Sequence, residues 1–337
     1  MRSNIAQDKE QSMAVSWDEW EVPTQGQPRA EDYAFDLDRT LSAVVAVTAR
    51  VPTDAFTAET LGTERSGNGV LIREDGIVLT IGYLITEAEE VWLTTVDGRV
   101  VPGHVIGIDQ NTGFGLVQAL DALNVTALKL GDSTRVMPGE RVLVGGAGGR
   151  TKSVTAKVLA RQEFAGYWEY LLEDAFFTAP AHPHWGGTAL IGPKGDLLGI
   201  GSLQLQHQTP NGKIAPMNMM VPIEFLEPIL EQILDQSDRS PSRPWLGVFV
   251  SEDDDKVLVV GLAGNGPAKR AGLREGDGIL AVDGNAIDSL SGFYRRLWAL
   301  GDAGVEVPLT LEREGDVFDV RISSGDRRRF LKMPRLH

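Results

Sequence analysis

Short apolar runs separated by turn dipeptides dominate the chain between residues 41 and 222. Such runs are typical of strands, and pairs such as Asp75-Gly76 and Asp97-Gly98 are turn signals. The 38 glycines and 17 prolines of this 337-residue chain agree with many turns. Many short strands at regular spacing predict a β-barrel or sandwich. The predicted strands are Leu41–Thr48, Gly69–Ile72, Ile77–Ile81, Val91–Thr95, Val100–Ile108, Gly115–Ala119, Arg141–Val144 and Leu197–Leu203.

A second unit follows a helical segment and a polar linker. Apolar residues at helical spacing predict a helix over 222–236, and Ser237 to Arg243 form the linker. Beyond it, one amphipathic helix is predicted at Ser289–Leu300, with a short helical turn near Pro267–Ala271. The strands predicted in this unit are Leu246–Val250, Val257–Leu262, Gly278–Val282, Val307–Glu312 and Val317–Ile322.

Composition shifts at both ends divide the chain further. Residues 1–40 carry nine Asp/Glu against four Lys/Arg and predict a flexible acidic arm. Residues 41–236 form the first body, which ends in a helix, and 237–243 the linker. Residues 244–324 form the second domain, and 325–337 a basic tail. The folded part is therefore mainly β.

The charge and residue usage exclude several functions. A net charge of -15 predicts a surface that repels nucleic acid and anionic membranes. The chain has no cysteine, hence no disulfide, thiol nucleophile or thiolate metal site, and it has no apolar run long enough to span a bilayer. The first thirty residues lack the features of a secretory signal, which predicts a cytoplasmic protein, or a periplasmic one if the chain is a trimmed mature form.

Two histidines in one loop raise the question of a metal. His182 and His184 are one residue apart, and two imidazoles can bind zinc only with a third or fourth ligand. No zinc-type spacing completes the set, so we expect two loop histidines and no metal. No cofactor-binding motif is present either, and we expect no cofactor.

Five segments in order resemble the HtrA/DegP family of serine proteases. Gly67–Thr80 (GNGVLIREDGIVLT) resembles the opening of that family's first barrel, and Val96–Gly103 (VDGRVVPG) and Val105–Val117 (VIGIDQNTGFGLV) the next hairpin and strand. Leu128–Gly145 resembles the crossing into a second barrel, and His182–Ile200 (HPHWGGTALIGPKGDLLGI) the nucleophile loop. Residues 243–323 resemble the PDZ domain that follows. The resemblance implies a trypsin-like double β-barrel, then a PDZ domain, and assembly as a homo-oligomer, a trimer in relatives.

The resemblance also assigns the catalytic positions, and each holds a residue without the required chemistry. Tyr83 occupies the position of the base His, Gly113 that of the orienting Asp and Trp185 that of the nucleophilic Ser. Serine catalysis needs a hydroxyl, a base and a group that orients the base. A tyrosine is a poor base at neutral pH, a glycine orients nothing and an indole only donates a hydrogen bond. We therefore expect no catalytic residue here.

The oxyanion hole is altered as well. In the resembled family it uses the backbone N–H of the nucleophile and of the residue two before it. Here that residue is Pro183, which has no N–H. One donor is therefore missing whatever the conformation of the loop.

The resemblance assigns peptide binding to the second domain. Trp245-Leu246-Gly247-Val248-Phe249 resembles the carboxylate-binding loop and edge strand of a PDZ domain, where the C-terminal strand of a ligand pairs and its carboxylate is held by backbone N–H groups. Phe293, Leu297 and Leu300 are the candidate walls of the side-chain pocket. We expect protein or peptide C-termini, or extended segments, as partners.

The leading interpretation is a bacterial pseudoprotease of HtrA type, acting in peptide binding, scaffolding, or a chaperone-like quality-control role through its PDZ domain. One alternative is an active serine-type endopeptidase with relocated catalytic residues. Another is a structural protein that uses its N-terminal arm and C-terminal tail for assembly. The sequence names neither the partner nor the size of the oligomer.

Overall fold

The computed structural model describes residues 20–209, 211–235, 242–253 and 256–332. Its first body is a closed barrel in which the strands follow the spatial order one, two, three, six, five, four. Two short helices, α1 (Leu37–Ser42) and α2 (Ala58–Leu61), flank its first strand. The six strands are β1 (Val44–Arg50), β2 (Glu64–Leu71), β3 (Ile77–Ile81), β4 (Glu90–Thr94), β5 (Val100–Ile108) and β6 (Phe114–Ala119).

A second closed barrel uses the next six strands in the spatial order four, five, six, three, two, one. A helix, α3 (Glu227–Leu234), follows the barrel. The strands are β7 (Arg141–Gly145), β8 (Ser153–Gly166), β9 (Tyr170–Ala179), β10 (Ala189–Ile191), β11 (Leu197–Gln208) and β12 (Ile214–Pro222). The two barrels confirm the predicted mainly β, trypsin-like fold class.

The C-terminal unit is a six-stranded antiparallel sheet with two helices. The helices are α4 (Pro267–Arg270) and α5 (Leu290–Ala299), and the Ser289 side chain caps α5 by accepting a hydrogen bond from Gly292 N. The strands are β13 (Val248–Asp253), β14 (Lys256–Leu262), β15 (Gly278–Val282), β16 (Asn285–Ala286), β17 (Glu306–Arg313) and β18 (Asp316–Ser323). In this sheet β13 is an edge strand, because it pairs only with β14 in the strand order.

The prediction of a strand starting at Leu41 is wrong. Leu41 lies in α1, and β1 begins at Val44. The side chain of Asp36 caps the helix by accepting a hydrogen bond from Arg39 N, while Leu37 and Leu41 are buried on the barrel side. The two leucines are four residues apart, which is one helical turn, so their periodicity fits a short helix as well as a strand.

Residues of both ends pack on the barrels where they are described. In the predicted arm, Val22 is buried and its N–H donates to Thr151 O at 2.8 Å. The prediction for residues 1–19, with Trp17, lies outside the described residues. In the predicted tail, Lys332 N donates to Glu87 Oε1 at 2.9 Å, and Phe330 packs on Trp245 with ring centroids 4.7 Å apart. Residues 333–337 lie outside the description.

Candidate functional site

The three positions assigned by the resemblance lie close together where the two barrels meet. Gly82 N, beside Tyr83, donates to Gly113 O at 2.6 Å. On the other side, a Cβ placed on Gly186 would lie only 2.6 Å from Tyr83 Oη. Tyr83 therefore stands between the Gly113 turn and the loop that carries Trp185.

The phenol of Tyr83 is fixed and protonated. Its hydroxyl donates to Ser202 O at 2.9 Å. Burial raises the pKa of Tyr83 well above its ordinary value, and a hydrogen bond with the Trp185 side chain offsets only part of that rise. A phenol in this state neither accepts nor releases a proton at neutral pH, so it offers no general base.

Gly113 lies in a left-handed turn, with φ at +81°. Its N–H bonds to Asp109 O at 2.9 Å, while the side chain of Asp109 accepts from both Thr112 N and Thr112 Oγ1 at 2.7 Å. The Tyr170 hydroxyl donates to Thr112 O at 2.8 Å. The carboxylate of Asp109 is therefore hydrogen-bonded within its own turn.

The loop around Trp185 is held by Asn68. The buried Asn68 side chain donates from Nδ2 to His184 O and Gly186 O, and its Oδ1 accepts from Ala147 N at 2.9 Å. Trp185 O accepts from Thr188 Oγ1 at 2.8 Å. These bonds occupy the backbone carbonyls of the loop and leave a half-buried indole where the resemblance places a nucleophile.

His182 has a structural environment. Its Nε2 lies 2.8 Å from Lys152 O, which only accepts, so Nε2 carries the proton. Nδ1 then accepts from His184 N at 3.1 Å. Burial lowers the pKa of His182 to about 4, which keeps the ring neutral. Both ring nitrogens are thus engaged with backbone, and the described ranges contain no group of three His, Cys, Asp or Glu placed to hold a metal ion.

The second predicted site is the loop before β13, and its backbone N–H groups converge on one carboxylate. Glu169 Oε1 accepts from Gly247 N at 2.6 Å and from Val248 N at 3.0 Å. Glu169 Oε2 accepts from Leu246 N at 3.0 Å. Glu169 lies at the tip of the β8–β9 hairpin, in the second barrel.

The residues predicted to line the peptide groove divide into two groups. Phe293 and Leu297 are fully buried in the core of the C-terminal unit, and Leu300 packs against that core. Trp245 is buried against Phe330, while the Phe249 ring faces Tyr167 with centroids 5.9 Å apart. The loop Leu246, Gly247 and Val248 is the part that contacts a carboxyl group, that of Glu169.

Sequence reasoning missed Glu169 and Tyr294. Tyr294 lies on α5 between two predicted pocket residues, and its hydroxyl donates to Gly166 O at 2.6 Å. The segment 164–170 contains four aromatic residues around Gly166 and Glu169, FAGYWEY, and that aromatic cluster next to a turn was the available signal.

Two family descriptions match this chain. A trypsin-like peptidase domain matches residues 67–200, and a PDZ domain matches residues 244–323. The first match covers strands of both barrels, and the second covers the C-terminal sheet and its helices.

The curated relatives are DegP-like proteins. The chain is 28% identical over 273 residues to a periplasmic serine endoprotease named DegP-like from Halomonas elongata, which covers 77% of this chain and 56% of that protein. It is 29% identical over 276 residues to a protein of the same name from Pseudomonas putida, again over 56% of that protein. The chain thus spans just over half the length of these relatives. Their names place them in the periplasm, so the cytoplasmic expectation has no support from them.

Solved structures share the fold. An HtrA-type protease AlgW with decapeptide aligns with a TM-score of 0.52 and 20% identity, over 89% of this chain and 98% of that one. A serine endoprotease from Yersinia pestis aligns with a TM-score of 0.51 and 22% identity, over 87% and 98%.

The chain therefore combines a trypsin-like peptidase domain of two β-barrels with a C-terminal PDZ domain. It is similar to DegP-like serine endoproteases over about three quarters of its length, in agreement with the HtrA/DegP resemblance of its sequence. No helix among the described residues is long and apolar enough to cross a membrane.

Proposed function

We propose that this chain is a catalytically inactive HtrA-type protein that binds peptides through its PDZ domain and acts as a scaffold or chaperone-like protein. The observation that carries the proposal is the clustering of Tyr83, Gly113 and Trp185 where the barrels meet, because none of the three supplies a nucleophile, a base or an orienting carboxylate.

Two threonine hydroxyl groups beside the loop of Trp185 support this proposal. Thr188 Oγ1 donates to Trp185 O, and Thr80 Oγ1 donates to Asn68 O at 2.6 Å. Both protons are committed to backbone carbonyls, whereas a relocated nucleophile would donate its proton to a base. His182, the buried imidazole of the loop, has both nitrogens on backbone groups.

Rate arguments point the same way. Loss of a complete triad typically lowers kcat by about 10⁶-fold. A missing oxyanion donor, as at Pro183, removes about 2.7–4 kcal/mol of transition-state stabilisation in addition. Acyl transfer at these positions would therefore be negligible.

The first experiment is cleavage of casein by homogeneous protein over a long incubation, with Trp185→Ala in parallel. We expect no cleavage in either sample and no covalent mass increase with a fluorophosphonate probe. Cleavage by the wild-type protein, or labelling of a serine, would support the alternative of an active endopeptidase, which the names of the relatives favour.

The second experiment restores the triad with Tyr83→His, Gly113→Asp and Trp185→Ser, without and with Pro183→Gly. We expect the fourth change to raise cleavage by about a hundredfold or more, because it returns one oxyanion donor. Full activity of the triple variant alone would contradict the assignment of Pro183.

Oligomer state and compartment belong to the same proposal. We propose a homo-oligomer, with the trimer of the resembled family as the expected size, and a periplasmic location in keeping with the names of the relatives. Light scattering of the full chain, and fractionation of its native host with an antibody, test the two points separately.

A further inference from the structure

The tip of the β8–β9 hairpin occupies the loop and strand edge at which a PDZ domain would hold a ligand. Three consecutive backbone N–H groups, those of Leu246, Gly247 and Val248, point at the carboxylate of Glu169. A PDZ loop holds the terminal carboxylate of a peptide in the same way, with several backbone N–H groups converging on one pair of oxygens.

The hairpin also bonds to the strand edge. Val250 N, on the free edge of β13, donates to Tyr167 O at 2.8 Å. This backbone bond is of the kind that an added ligand strand makes. The ring of Tyr167 packs over Phe249 of the same strand.

The facing helix fixes the hairpin from the other side. The hydroxyl of Tyr294 on α5 donates to Gly166 O at 2.6 Å and accepts from Glu169 N at 3.1 Å. Leu171, the second residue of β9, belongs to the buried core of the PDZ domain. The hairpin therefore sits between β13 and α5, the two elements that border a PDZ groove.

The backbone of Glu169 is adapted to this position. Its φ is +57°, in the left-handed region that side-chain-bearing residues adopt rarely and at a cost. The residue has this conformation while its carboxyl group bonds to the loop of the other domain.

We propose that the β8–β9 hairpin is an internal ligand of the PDZ domain, with the side-chain carboxylate of Glu169 in the place of a peptide's terminal carboxylate. A peptide with a free C-terminus enters this groove only when it displaces Glu169. This second statement rests on the proposed peptide-binding function, whereas the first does not.

The test separates the two statements. Hydrogen–deuterium exchange of the full chain, read on peptides covering residues 245–250, reports whether the loop is occupied without any added ligand. We expect Glu169→Ala to speed exchange there by about tenfold or more, because four N–H groups lose their acceptors when the hairpin leaves. Tyr294→Phe, which keeps the buried ring and removes only the hydroxyl, should shift exchange in the same direction.

Glu59→Ala is the matched control, since it removes an exposed glutamate of α2 in the first barrel. It should leave exchange at residues 245–250 unchanged. If Glu169→Ala and Tyr294→Phe also leave it unchanged, the hairpin is not an internal ligand and the inference is overturned.

A binding measurement then addresses the peptide. The probe is a fluorescent decapeptide pool with randomised last positions and a free C-terminus, with its amidated counterpart as the control. Tighter binding of the free pool to Glu169→Ala than to the wild-type protein supports both the inference and the proposed function. Faster exchange in Glu169→Ala, together with no binding of the free peptide pool by any form of the protein, supports the internal ligand and contradicts the peptide-binding function. Equal binding to wild type and Glu169→Ala overturns the displacement statement.

Discussion

Glu169 Oε1 accepts a hydrogen bond of 2.6 Å from the backbone N–H of Gly247, although the two residues belong to different domains. The contact joins the second barrel to the loop before β13. The protonation state of this one carboxyl group therefore affects how tightly the two domains associate.

The association of the hairpin with the PDZ loop should depend on pH. Burial raises the pKa of Glu169 from its ordinary 4.5 to about 7, and the loop N–H groups and Arg327 offset only part of this rise. The docked carboxyl therefore binds its proton more tightly than a released, solvated one. Acid thus favours docking, and docking weakens as the pH rises through about 7. Exchange at residues 245–250, corrected for its intrinsic pH dependence, should show less protection at pH 8 than at pH 5.

Two variants check this assignment. Glu169→Gln keeps an acceptor oxygen but does not titrate, so the protection of residues 245–250 from exchange should become independent of pH. Glu163→Gln removes another carboxylate of the same hairpin, which pairs with Arg295, and the pH dependence should persist. The other charged or titratable groups facing Glu169, Arg327 and Tyr294, do not change state in this range: arginine stays protonated, and burial raises the pKa of Tyr294 further. A pH dependence that survives Glu169→Gln would contradict the prediction.

Acid should also destabilise the second barrel through His182. Burial lowers its pKa from 6.5 to about 4, so the unfolded chain binds a proton in this interval and the folded chain does not. Stability therefore falls as the pH drops from 6.5 towards 4, by about 3 kcal/mol at most. Glu169 acts with the opposite sign in the same interval, so the two contributions partly cancel in the wild-type protein.

The contribution of His182 is isolated by introducing His182→Gln into the Glu169→Gln variant, in which residue 169 no longer titrates. Denaturant unfolding at pH 5.0 and 6.5 should show a smaller loss of stability when His182 is absent. His207→Gln, in the partly exposed end of β11, is the matched control and should leave the loss unchanged. A loss of equal size with and without His182 would show that the ring is not the group that titrates.

The fold was accessible from sequence where local patterns decide it. The bounds of β3 and β5 are those of the predicted strands, because segments rich in β-branched residues are bounded there by turn residues. The hydrogen bonds of Glu169 could not be predicted from the sequence, since they join residues more than seventy positions apart. They also use a charged side chain on a long hairpin, which the strand pattern did not reveal. On α5 the apolar spacing identified Phe293 and Leu297. It did not single out Tyr294, because a residue that faces a groove recurs with the same helical period as a residue of the core.

The loop around Trp185 should be intolerant of a side chain at Gly187. A Cβ there would lie 1.8 Å from Asn68 O, and φ at Gly187 is +75°. Both the backbone strain and the overlap destabilise Gly187→Ala, by about 3 kcal/mol or more in total. Gly98→Ala is the matched control, because its φ is +84° but no atom lies within 4 Å of the added Cβ, and it should cost about 1 kcal/mol. Equal melting temperatures for the two variants would contradict the close approach.

The last prediction concerns the described part of the basic tail, which joins the PDZ domain to the first barrel. Phe330 packs on Trp245 and, with ring centroids 5.9 Å apart, on Phe56 of the first barrel. Trp245 and Gly325 exchange two backbone hydrogen bonds of 3.0 and 2.8 Å beneath these rings. Phe330→Ala removes a half-buried ring and should weaken this junction by about 1–2 kcal/mol.

Hydrogen exchange at the amides of Trp245 and Gly325 reports the effect, since these N–H groups pair with each other beneath the rings of the junction. We expect faster exchange in Phe330→Ala at both amides and at Lys332, whose N–H is held by the carboxylate of Glu87. Val317→Ala, at an exposed position of β18, shortens an apolar side chain away from the junction and should leave these amides unchanged. If Phe330→Ala behaves like Val317→Ala, the tail does not stabilise the contact between the two domains, and residues 326–332 only rest on the surface.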